Sequence, residues 1–167
     1  MVGRSVERRG GAVLGGAVAA ALLAGCIDPP GPMPCSPVAV DTASVSGDTI
    51  TTTSGLRFVD GTLGAGDTVL VWCRAAIVHY TASLLDGTKF DSSRDIDRPL
   101  VFTPGQGILI DGFEQGVIGM RIGGTRRLII PPALGYGAEP VRDASGTVIV
   151  PANSTLVFDI ELLGMGP

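Results

Sequence analysis

The chain has 167 residues, a formal charge of −4, 45% hydrophobic and 17% charged residues. That size and balance suit one folded domain with additional segments. Nucleic-acid binding calls for a basic patch. Once the N-terminal arginines are set aside, no Lys/Arg run occurs beyond Arg126-Arg127, so that class of partner is excluded. No C-x-x-C spacing is present, which removes the usual zinc and dithiol readings. No metal and no cofactor are expected.

The N-terminus reads as a separate object. Arg4, Arg8 and Arg9 precede GAVLGGAVAAALLA, residues 11–24. This apolar run is shorter than the roughly 20 residues that span a bilayer. A charged start, a short apolar middle and a small-residue exit describe an export signal over residues 1–25. The exit, Leu23-Ala24-Gly25-Cys26, resembles the lipobox of bacterial lipoproteins. That resemblance implies lipidation at Cys26, a mature chain beginning there, and a domain held outside the cytoplasm. The expected place is the bacterial cell envelope, on the periplasmic side or at the cell surface. More than one acyl chain gives stable attachment, where a single chain is marginal. Cys35 and Cys73 remain, and an oxidising compartment permits a disulfide between them. Two free thiols are equally compatible with the sequence.

Residues 26–51 form a tether. Five of the twelve prolines fall between Pro29 and Pro37, and Ser and Thr dominate the remainder, a stiff and then flexible composition. The folded domain is expected over 52–167, with the ITTT stretch able to add an edge strand. LRFV (56–59) is a short strand. The run 68–82 is β-prone and broken near Cys73-Arg74. LLDGTKFDSS (84–93) is a hairpin turning at Asp86-Gly87. LVF (100–102) is a strand. Ile110, Phe113, Val117 and Met120 lie on one face of a short helix. TRRLIIPP (125–132) is a strand stopped by prolines, with Arg126-Arg127 read as a solvated edge. Residues 133–150 are a long loop, and 154–165 a terminal strand whose Leu156, Phe158 and Ile160 share a side. The fold class is α+β: a half-open antiparallel β-sheet wrapped around one short α-helix.

Four segments, VHYTASLLDGTKFDSS, GFEQGVIGM, RRLIIPPALGYGA and TLVFDIELL, resemble the FKBP-type peptidyl-prolyl cis-trans isomerases in order and spacing. The resemblance covers residues 52–166. It implies a pocket between sheet and helix. Tyr80, Asp91, Ile110 and Tyr136 correspond to the residues that act on the substrate. Phe90, Phe102, Leu109, Phe113, Ile149, Val150 and Phe158 correspond to its apolar walls, with Phe113 as the floor. The Ile110 N–H and the Tyr136 hydroxyl are the expected donors to substrate carbonyls, and Tyr80 is expected to donate to Asp91. The implied function is rotation of X-Pro bonds in exported proteins, and the implied partners are proline-containing segments and macrolide inhibitors. Ile96, Leu100 and Ile108 depart from the best-known members, and bear on inhibitor affinity and on the residue preferred before proline. An alternative function is a non-catalytic binding module or chaperone that grips proline-containing or unfolded segments.

Other features carry less. His79, the only histidine, alternates away from Tyr80 along a strand, so it suits a structural role better than a catalytic triad. Gly105-Gln106-Gly107 lacks the strand-to-helix setting of a phosphate loop. Asn153-Ser154-Thr155 fits a glycosylation pattern but opens a strand.

Overall fold

The computed structural model describes residues 42–46, 48–65, 70–71 and 73–166. The chain divides into two units, Met1–Met33 and Pro34–Pro167, and every described residue belongs to the second. The export signal, the lipobox at Cys26, Cys35 and the proline-rich part of the tether lie outside the described residues.

Among the described residues, ten strands and one α-helix occur in this order: β1 Thr42–Ser46, β2 Thr49–Thr52, β3 Arg57–Leu63, β4 Ala76–Leu84, β5 Lys89–Ser92, β6 Leu100–Phe102, α1 Asp111–Val117, β7 Gly124–Ile130, β8 Val141–Arg142, β9 Val148–Val150 and β10 Leu156–Met165. The main sheet is antiparallel in the order β1-β2-β3-β7-β10-β4-β5, with β6 also beside β4. This is the expected sheet with a single short helix. It starts earlier than expected, because Thr42–Ser46 pairs with β2 inside the stretch read as tether. Residues 133–150 are also more ordered than a loop: a 3-10 turn at Pro132–Leu134 is followed by the β8–β9 hairpin.

The core follows from strand alternation, in which every second side chain faces the same way. Leu156, Phe158, Ile160 and Leu162 of β10 are buried, as are Leu128 and Ile130 of β7 and Ala76, Val78 and Ala82 of β4. Tyr80 belongs to that inward row of β4 but is only half-buried. A gap therefore opens between sheet and helix at this point.

The helix lies against β7 through two glycines. A β-carbon at Gly112 would come within 2.4 Å of the Ile130 side chain, and one at Gly116 within 2.3 Å of Leu128. Only a missing side chain permits that approach. The chain leaves the helix at Ile118 and turns at Gly119, φ +85°.

The sequence misread Arg126. It sits on a central strand, faces inward, and is 6% exposed. Its Nε and Nη2 donate to the Asp60 carboxylate at 2.5 and 3.1 Å. Its Nη1 donates to the carbonyls of Gly116 and Ile118, each at 2.8 Å. Those carbonyls close the helix and have no partner within it. The guanidinium also lies 4.2 Å from the centre of the Phe58 ring, a cation–π distance. Arg127 does point outward and pairs with Asp159. Cys73 is in a turn rather than a strand, at φ +62°, and is disulfide-bonded.

Candidate active site

The hairpin that opens the site contains a bulge. Along β4 and β5, Ala82 faces Asp91, but Ser83 faces Lys89, so Phe90 is the extra residue. Neighbours on a regular strand point to opposite faces. A bulge re-aims them, and here Phe90 and Asp91 both line one cavity.

That cavity, about 190 Å³, is walled by Tyr80, Phe90, Asp91, Leu100, Ile108, Leu109, Ile110, Phe113, Tyr136 and Phe158. Three pairs of its aromatic rings meet edge to face. Phe113 and Phe158 are 5.2 Å apart at 76°, Tyr80 and Phe113 5.8 Å at 81°, and Phe90 and Phe158 6.1 Å at 86°. This arrangement sets ring edges against ring faces and makes a stiff apolar well.

Polar groups sit around the well. The Tyr80 hydroxyl donates to Asp91 Oδ2 at 2.6 Å. Asp91 is exposed, so the phenol orients a solvated carboxylate. The strand under Tyr80 is clamped by two serines. Ser93 Oγ accepts from the Tyr80 N–H at 2.9 Å, and Ser92 Oγ donates to the Tyr80 carbonyl at 3.0 Å. His79 Nδ1 is 2.9 Å from Ser93 Oγ, which gives the only histidine a structural place. The Tyr136 hydroxyl and the Ile110 N–H meet no acceptor among the described residues. Both are therefore free for a ligand.

Burial, then the hydrogen bond to Asp91 and its charge, push the Tyr80 phenol well above its ordinary 10.0. Burial and then the Asp91 charge raise Tyr136. Both hydroxyls stay protonated donors at any neutral or mildly alkaline pH. Unfolded phenols ionise first, so the stability tied to these groups is fully present below about pH 10 and lost as pH rises through the folded values. The chain has only two tyrosines, so an absorbance titration reads both. We expect tyrosinate to form above pH 10 in the folded protein and near pH 10 in denaturant; equal midpoints would contradict the site's electrostatics.

Eight of the eleven substrate-contacting residues expected from sequence meet here: Tyr80, Phe90, Asp91, Leu109, Ile110, Phe113, Tyr136 and Phe158. Three do not line the cavity. Phe102 is buried behind the floor, 5.4 Å from the Phe113 ring. Val150 is buried and Ile149 packs against the core from β9. Leu100 and Ile108 complete the wall instead. Arg94 does not reach Asp91, since it pairs with Glu161 on the outer face. Ile96 is 72% exposed. No cluster of metal-binding side chains exists among the described residues.

A larger cleft of about 450 Å³ lies on the outer face of the sheet, lined in part by Thr81, Arg94, Arg127, Asp159 and Glu161. Its charged walls are already paired with each other. It contains none of the aromatic rings that line the smaller cavity, so the smaller cavity is the candidate site.

A half-open sheet closed by one short helix, with an aromatic well between them, is the architecture that positions the candidate site. A family model described as FKBP-type peptidyl-prolyl cis-trans isomerase matches residues 60–163. The chain belongs to that family. It is 50% identical over 88 residues to FK506-binding protein 2 of Dictyostelium discoideum, covering 53% of this chain and 62% of that protein. It is 43% identical over 109 residues to peptidyl-prolyl cis-trans isomerase Fkbp12 of Drosophila melanogaster, covering 65% and 96%. The solved structure of AtFKBP13 superposes with a TM-score of 0.64 at 35% identity, covering 71% of this chain and 98% of that one. Against three of the curated relatives, the match spans 62%, 41% and 55% of their length.

Proposed function

We propose that this domain accelerates cis–trans rotation about X-Pro bonds in exported polypeptides. The observation that carries this reading is the pairing of an apolar aromatic well with two unengaged donors, the Ile110 N–H and the Tyr136 hydroxyl. Rotation about an amide loses its resonance, a barrier of about 18–20 kcal/mol, and for X-Pro takes tens to hundreds of seconds unaided. No bond is made or broken, so neither a nucleophile nor a cofactor is needed. A site that binds the twisted amide better than the planar one suffices. In our reading the proline ring enters against Phe113 between Tyr80, Phe90 and Phe158. The planar amide is charge-separated, and apolar walls solvate it poorly. The Ile110 N–H and Tyr136 hydroxyl hold flanking carbonyls while the bond turns. Asp91, held by Tyr80, acts by charge and orientation. Relatives carry FK506 in their names, and we infer that a macrolide of that kind competes for the same well.

We further propose that Cys26 is lipidated and tethers the domain to a membrane of the cell envelope. The support is the Leu-Ala-Gly-Cys exit from an apolar run. The full chain should partition into detergent and its Cys26→Ala variant into water; equal partition would sink the anchor.

The catalytic reading is tested by exchange NMR on a short Leu-Pro peptide with the full chain, its Cys73 disulfide intact. Accelerated exchange, blocked by a macrolide, is expected. Peptide binding without acceleration would replace the enzyme with a binding module.

A further inference from the structure

The loop between β6 and α1 carries an arrangement that the residue pattern did not signal. Glu114 is on the first turn of α1, yet it is only 4% exposed. Among the described residues no cation pairs with it. Its carboxylate instead accepts four backbone N–H groups. Gly105 and Gly107 donate to Oε2 at 2.8 and 3.3 Å. Ile108 and Leu109 donate to Oε1 at 3.0 and 3.1 Å. Gly105 and Gly107 have φ of +94° and +64°, a conformation glycine adopts freely, and this lets the amides converge on one anion. A buried carboxylate without such donors would be costly; with four it locks the loop. The helix end is fixed as well, because the Ile110 carbonyl accepts from the Phe113 and Glu114 N–H groups at 2.9 and 3.2 Å. Ile110 thus lies between two anchored points, lines the cavity, and has an N–H that meets no acceptor among the described residues.

We propose that Glu114 is a positioning residue that holds the loop so that the Ile110 N–H faces the substrate. The proposal rests on the isomerase reading for its consequence in rate. A donor fixed before the substrate arrives needs no reorganisation during the reaction. Without Glu114 the two loop glycines have no reason to stay in place, and the donor's direction is lost.

The test combines amide hydrogen exchange with kinetics, on the full chain with its Cys73 disulfide intact. In the wild type, the amides of Gly105, Gly107, Ile108 and Leu109 should be protected without ligand. That of Ile110 should exchange fast and become protected when a Leu-Pro peptide saturates the site. In Glu114→Ala the four loop amides should lose protection while those of β7 and β10 keep it. KM should rise and kcat/KM fall about tenfold, equivalent to about 1.4 kcal/mol. Glu114→Gln keeps one acceptor oxygen and should fall between. A folded Glu114→Ala with unprotected loop amides and unchanged kcat/KM would overturn the proposal. If that variant does not fold, the wild type decides: loop amides exchanging as fast as Ile110 would refute it. A wild type that binds the peptide without catalysis is a failure of the isomerase reading alone, since the Ile110 protection is still readable.

Discussion

Arg126→Ala should destabilise the domain by about 3–5 kcal/mol, the cost of breaking a buried ion pair from one side. The whole stability of a domain is about 5–15 kcal/mol, so this change takes a large share of it. Arg126 joins three parts: the Asp60 carboxylate on β3, the last carbonyls of α1 and the Phe58 ring. Its loss leaves the Gly116 and Ile118 carbonyls buried without a donor. The neighbouring Arg127 provides the control. Its pair with Asp159 has side chains 59% and 48% exposed, so Arg127→Ala should cost no more than about 1 kcal/mol. Urea unfolding of both variants measures this. Similar midpoints for the two would remove the structural role assigned to Arg126.

The second large effect is on rate rather than stability. Asp91→Ala should lower kcat/KM about tenfold or more, or about 1.4 kcal/mol, with an unfolding midpoint close to wild type. Asp91 is exposed, so little packing is lost. What is lost is the acceptor that fixes the Tyr80 ring at the edge of the well. Tyr80→Phe removes the same bond from the other side. The double variant should therefore be little worse than either single one, as expected for groups acting as a unit. Additive losses would mean that Tyr80 and Asp91 work separately.

Much of the site was legible because its parts are local. Asp86-Gly87 announces the hairpin that brings Phe90 and Asp91 beside Tyr80, and the helical spacing of Phe113 and Val117 places the floor. Alternation in Leu156, Phe158 and Ile160 puts Phe158 inside. What escaped depended on distant partners. Arg126 looks like half of a surface pair until Asp60 is known to lie on the neighbouring strand. Glu114 looks like an ordinary acidic residue of a first helical turn, and only the folding back of residues 105–109 shows what it holds. Phe102 matches the pocket pattern in sequence, but its ring packs against Phe113 without lining the cavity, and Leu100, two residues earlier on the same face of β6, takes the wall. The strand at Thr42–Ser46 is rich in Ser and Thr, so composition placed it in the tether. Its pairing with β2 is a tertiary fact that composition does not carry. The β8–β9 hairpin was hidden similarly: Asp143 organises its turn by accepting from the N–H groups of Ser145 and Thr147, within a segment otherwise read as loop.

The most direct test of the account is a residue-by-residue chemical-shift map of the domain during catalysed exchange of a Leu-Pro peptide. The account predicts shifts at Tyr80, Ile110, Phe113 and Tyr136 that saturate with the same peptide dependence as the exchange rate. Shifts centred instead on Thr81, Arg127 and Asp159, across the outer cleft, would contradict it.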